Sequence, residues 1–133
     1  MLTDNQKLAI REYLQNKPVE VLYLFGSQAT GTARPDSDYD FGAIFSNESS
    51  LDNRLKLMAF LSNLLKNDHI DVLDLKKVPI RFQYEAIFPR DIIFVRNIQF
   101  VKDFEYNILT HYFDEMYFMK QMTRDYMQQF VYD

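Results

Sequence analysis

The residues best placed to do chemistry lie in one stretch, Leu24-Phe25-Gly26-Ser27 through Asp38-Tyr39-Asp40-Phe41. Asp38 and Asp40 are separated by a single residue. On an extended strand that spacing puts both side chains on one face, ~7 Å apart at Cα, with Tyr39 and Phe41 turned the other way. Two neighbouring carboxylates repel. A divalent cation removes the repulsion, and hard oxygen ligands suit Mg²⁺. A solvated turn after Pro35-Asp36-Ser37 accounts for the pair as well. Gly26-Ser27 follows the apolar run Val21 to Phe25. A strand that ends in such a turn leaves backbone N–H groups free, which favours an anion. Gly26 lacks the Cβ that would block a phosphate, and the Ser27 hydroxyl adds a donor. A plain tight turn explains Gly-Ser equally well. A third carboxylate comes from His69-Ile70-Asp71-Val72-Leu73-Asp74-Leu75. Asp71 sits early in an apolar strand, where a charge without a partner is costly. Strands pair ~4.8 Å apart, so Asp71 is expected beside Asp38 and Asp40, with Asp74 of opposite parity.

The surrounding pattern predicts the elements that must hold these groups. Thr3 with Gln6 reads as a capping box, and Ile10, Tyr13 and Leu14 carry a helix toward Lys17, ended by Pro18. Strands are expected at Val21 to Phe25, Tyr39 to Phe45, Ile70 to Leu75 and Asp91 to Val95. Helices are expected at Leu51 to Lys66 and from Pro79 to about Phe88. From Arg90 onward there is no Gly or Pro, so residues 97–130 read as one long helix with at most one break. The fold class is α+β: a small mixed sheet of about four strands packed by helices, with a long C-terminal helix. Residues 1–133 read as a single domain.

Composition narrows the functions. The 133 residues include no Cys, which removes disulfides, thiol nucleophiles and Cys-ligated metals. Fifteen basic and 19 acidic residues give a net charge of −4, which disfavours a direct grip on nucleic acid. No apolar run approaches the ~20 residues of a membrane span, and no signal peptide is evident, so a cytoplasmic location is expected. His69 adjoins the Asp71 strand, a position at the edge of a site. His111 sits on the long helix and reads as packing or solvent-facing. No His-Glu-x-x-His, Ser-His-Asp or P-loop pattern occurs.

Gly26-Ser27, ten residues, then Asp38-x-Asp40 resembles the signature of the nucleotidyltransferase superfamily that includes DNA polymerase β. The flanking residues Ala29, Gly31, Ala33-Arg34-Pro35, Ser37 and Phe41 resemble the minimal nucleotidyltransferases, antitoxin partners of HEPN-domain toxins. Gln28 stands where many relatives carry Arg, and Arg90-Asp91 where Gly is common. The resemblance implies that Gly26 and Ser27 hold the triphosphate of ATP, with Arg34 in reach of its outer phosphates. A solvated loop arginine accounts for Arg34 as well. It implies that Asp38 and Asp40 ligate two Mg²⁺ ions, and that Asp71 shares one and helps deprotonate the attacking hydroxyl. The implied activity is transfer of AMP to a tyrosine hydroxyl of a HEPN RNase toxin, which neutralises it.

The long helix adds a second theme. Val101, Phe104, Ile108, Tyr112, Met116 and Met119 form an apolar stripe, widened by Leu109, Phe113 and Tyr117. Core packing explains part of it, and the remainder suits a protein partner or self-association. Two further readings follow: a non-catalytic antitoxin that occludes its toxin, and a transferase acting on an aminoglycoside-like small molecule.

Overall fold

The computed structural model describes residues 2–26, 38–46 and 50–130, Ser50 by its backbone alone. The expectations for Ser27, Arg34 and the turn between Gly26 and Asp38 lie outside the described residues.

Helix α1 (Asp4–Leu14) opens on the expected capping box: Gln6 N–H donates to Thr3 Oγ1 at 3.1 Å, and Thr3 N–H donates to Gln6 Oε1 at 2.9 Å. It ends three residues before Lys17. The Arg96 guanidinium donates to the carbonyls of Leu14 and Lys17 at 2.8 Å and of Gln15 at 3.1 Å, satisfying groups left over at the helix end. Strands β1 (Val19–Phe25) and β2 (Tyr39–Phe45) follow, then α2 (Ser50–Leu65), β3 (Ile70–Asp74), α3 (Ile80–Ile87), β4 (Asp91–Val95) and α4 (Ile98–Gln128). The sheet order is β3-β2-β1-β4. β1 runs antiparallel to β2 and β4, while β2 and β3 are parallel, so the sheet is mixed as expected.

Both faces of the sheet are covered. Leu22 and Leu24 of β1 join Phe41 and Phe45 of β2, Ile10 and Leu14 of α1, and Leu57 and Leu61 of α2 in one core. The alternate residues Val21, Tyr23 and Ile44 pack with Ala86 and Ile87 of α3 and Val101 and Ile108 of α4. This two-sided burial explains why β1 reads as a continuous apolar run.

Helix α4 runs unbroken over 31 residues, ~46 Å at 1.5 Å per residue. Only its first half rests on the sheet: Val101 and Ile108 are buried, whereas Phe113, Met116, Tyr117, Phe118, Met119 and Met122 are exposed. The residues of the stripe therefore divide between core and solvent. No helix among the described residues is long and apolar enough to cross a membrane.

A polar anchor fixes α4. The buried Tyr23 hydroxyl donates to Glu105 Oε2 at 2.8 Å, and Arg90 Nε lies 3.1 Å from Glu105 Oε1. Burial and the Glu105 carboxylate push the Tyr23 pKa well above that of an ordinary tyrosine, so it stays a donor. Arg90 has φ 54°, a left-handed conformation easier for Gly, and its guanidinium is spent on Glu105.

Glu105→Ala strands the buried Tyr23 hydroxyl and is expected to cost about 1–3 kcal/mol in urea denaturation. Tyr23→Phe with Glu105→Leu removes both partners and is expected to cost less than Glu105→Ala alone. If the double variant is the less stable, the anchor is not acting through its hydrogen bonds.

Candidate functional site

Strand register aligns two of the three aspartates and leaves Asp38 just before the start of β2. In the parallel pair β2–β3, Asp40 is the Cα partner of Asp71, and Tyr39 of Ile70. Tyr39 N–H donates to the His69 carbonyl at 2.9 Å and closes the ladder next to Asp38. Alternation puts Asp40 on the same face as Gly42 and Ile44, toward α3 and α4. Phe41 is buried on the opposite face, with Tyr39 packed against that core. Asp74 has the other parity and closes a turn, its Oδ1 accepting from Lys76 N–H at 3.2 Å.

Across the antiparallel pair, Asp40 is opposite Phe25, so Gly26 follows directly beside it. Gly26 adopts φ +72°, and a Cβ there would come within 2.7 Å of Asp40 Oδ2. The positive φ favours glycine, and a Cβ there would make the Asp40 carboxylate shift. The Gly-Ser turn thus has a second reason for its glycine, one that sequence reading assigned only to phosphate approach.

The electrostatics follow from this crowding. Partial burial raises the pKa of Asp40, and the negative charges of Asp71 and then Asp38 raise it further. The outer two have basic side chains nearby: Asp71 Oδ1 lies 3.7 Å from Arg54 Nη2, and Asp38 Oδ1 lies 3.8 Å from His69 Nδ1. Among the described residues, no three His, Asp or Glu side chains are gathered closely enough to hold a metal ion. The donors are still of the kind that binds Mg²⁺. They are hard carboxylate oxygens on adjacent strands, and their mutual repulsion is relieved by a cation.

Arg54 was not singled out from sequence. It sits in the first turns of α2, in no motif, and reaches Asp71 on the edge strand β3. Its Nε is buried without a hydrogen-bond partner. The only local signal was a cation in an amphipathic helix that leads back to the Asp71 strand. His69 does stand at the edge of the site, as its position suggested, and His111 is exposed on α4.

Residues 9–99 match the family model described as "Polymerase beta, Nucleotidyltransferase". No curated protein matches the chain in sequence. Among solved structures, the chain is similar to one in a toxin–antitoxin complex with AMP-PNP: TM-score 0.73 and 21% identity over 95% of this chain and 99% of that one. It is similar to a chain of the MntA–HepT toxin–antitoxin complex: TM-score 0.70 and 17% identity over 94% and 99%. It is also similar to a chain in the complex of tri-AMPylated Shewanella oneidensis HEPN toxin with MNT antitoxin: TM-score 0.66 and 18% identity over 92% and 94%. These likenesses establish a shared fold.

The raised pKa of Asp40 has a stability consequence with a definite sign. A carboxyl whose pKa is higher folded than unfolded favours folding most when protonated, and that stability is lost as pH rises through the folded pKa. Asp40→Asn is therefore expected to stabilise the metal-free protein at neutral pH by up to ~1 kcal/mol, for a partly solvated charge, and so to raise its urea midpoint. The difference should vanish below about pH 3, where aspartates are protonated in either state. An unchanged or lower midpoint at pH 7 would mean that the three charges do not strain the fold.

Proposed function

Because the chain belongs to the Polymerase beta nucleotidyltransferase family, we propose that it is a Mg²⁺-dependent protein adenylyltransferase. It moves AMP from ATP to a tyrosine hydroxyl of a HEPN-domain RNase toxin in the cytoplasm and serves as that toxin's antitoxin. The observation that carries the reading is the register of Asp40 with Asp71, flanked by Asp38 and abutting Gly26. The likeness in fold to toxin–antitoxin complexes, one with AMP-PNP and one with a tri-AMPylated toxin, supports the choice of nucleotide and partner.

The roles follow from chemistry. The backbone at Gly26 and the Ser27 hydroxyl receive the triphosphate, and Arg34 meets its outer phosphates. Asp38, Asp40 and Asp71 would hold two Mg²⁺ ions, which would supply charge neutralisation for the entering and leaving oxygens. Asp71 takes the proton of the acceptor hydroxyl. The acceptor oxygen bonds to the α-phosphorus, the bond from that phosphorus to the β-bridging oxygen breaks, and pyrophosphate leaves. Most of the rate comes from positioning and electrostatics. AMP added beside the toxin's RNase site blocks it by bulk and charge.

The exposed outer half of α4 favours one second reading, neutralisation by occlusion with an idle catalytic site. A surface of Met and aromatic side chains suits protein contact in either case.

Incubation with labelled ATP, Mg²⁺ and toxin separates the readings. Label should transfer to the toxin, stop on chelation of the metal, and fall at least about a hundredfold in Asp38→Asn or Asp40→Asn. Equal transfer by these variants would end the enzyme assignment. Neutralisation that survives Asp38→Ala but is lost on Met116→Glu or Tyr117→Glu would favour occlusion. Transfer to an aminoglycoside hydroxyl with no partner protein present would point to a small-molecule enzyme.

A further inference from the structure

A groove of about 880 Å³ runs between α3 and the outer half of α4, and none of the three aspartates lines it. Its apolar lining includes Ile80 of α3 and Tyr112, Met116 and Met119 of α4. Met116 and Met119 are 52% and 56% exposed, so this surface faces solvent. One wall is rigid: Tyr84 of α3 stacks on Tyr112 with ring centroids 3.8 Å apart and planes 4° apart. The other wall is flexible methionine, which adapts to a partner.

The charge lining this groove opposes that of the whole chain. Arg81, Lys120 and Arg124 line it with a single carboxylate, Glu115. The protein as a whole carries −4. Tyr112, Met116, Lys120 and Arg124 recur at every fourth position and form one row along α4, apolar at one end and cationic at the other. Among the described residues, no carboxylate pairs with Lys120 or Arg124, and Arg81 has only a long contact of 3.9 Å with the exposed Glu85. A second copy would bring the same cationic patch against itself, which costs rather than stabilises.

We propose that this groove docks an amphipathic helix of a partner protein, whose apolar stripe covers Met116 and Met119 and whose flanking Asp or Glu side chains meet Arg81, Lys120 and Arg124. The inference rests on the partner-binding role given above to α4 and adds the chemistry of what binds there. A helix fits because the groove is already walled by two helices, and a third completes the layer. From Tyr112 to Arg124 the row spans ~18 Å, so about twelve residues of partner helix cover it.

The test uses the full chain and two fluorescein-labelled synthetic helical peptides. Both carry Leu at i, i+3, i+4 and i+7, with flanking Glu in one and flanking Lys in the other. The Glu peptide is expected to bind saturably in fluorescence anisotropy and the Lys peptide at least roughly tenfold more weakly. Lys120→Glu with Arg124→Glu should reverse that order. Lys120→Gln with Arg124→Gln should make the two peptides equal. Both residues are exposed, and circular dichroism verifies that helicity is retained. The proposal is overturned by equal binding of both peptides to the unaltered chain, by preference for the Lys peptide, or by no binding. It is also overturned by a dimer in sedimentation that Met116→Glu dissolves. No nucleotide is present, so the two readings fail separately. Lost AMP transfer with retained peptide selectivity ends the enzyme reading alone, and lost selectivity with intact transfer ends this one alone.

Discussion

Mutual repulsion of like charges shapes the end of the sheet where Asp38, Asp40 and Asp71 lie. The parallel pairing of β2 with β3 aligns Asp40 with Asp71, and the ladder leaves neither free to move far. The chain holds this cluster with two kinds of relief. Arg54 and His69 stand beside the outer carboxylates, and the central one sits against a glycine. Among the described residues no cation is paired with Asp40, and partial burial, then the charges of Asp71 and Asp38, raise its pKa. Among the described residues, the aspartate with least compensation is therefore the one that abuts Gly26.

The division of the molecule into two working surfaces follows from how the sheet is covered. α1 and α2 seal one face completely. α3 and the first half of α4 seal the other, and the second half of α4 has no sheet beneath it. The aspartates lie at the ends of strands in the sheet, whereas the exposed methionines and aromatics lie along a helix that leaves it. The acidic cluster and the exposed apolar surface therefore sit on separate elements.

Much of this was readable in sequence because the signals are local. Tyr39 to Phe45 and Asp91 to Val95 are compact β-rich runs bounded by turn residues, and both match the observed strands. The Thr3–Gln6 capping box is a contact within one turn, and it forms as read. What was missed depends on residues far apart in the chain. The helix read toward Lys17 ends at Leu14, where Arg96, some eighty residues away, takes up its last carbonyls. The first strand begins at Val19 rather than Val21, because an irregular pairing with β2 extends it by two residues. Arg54 carries no motif, and its place beside Asp71 exists only once β3 is the edge of the sheet. Arg90 is an intermediate case. It stands where Gly is common in the resembling family, and its left-handed backbone gives the reason; its pairing with Glu105 was invisible in the linear order.

The terminal helix is a rigid rod clamped near one end. The clamp is Glu105, gripped by Tyr23 from the sheet and Arg90 from the bend before β4. Tyr23 lies two residues from Phe25, whose cross-strand neighbour is Asp40. A load applied at the far tip therefore becomes torque about a fulcrum inside the core, on the same strand that ends at the glycine bend.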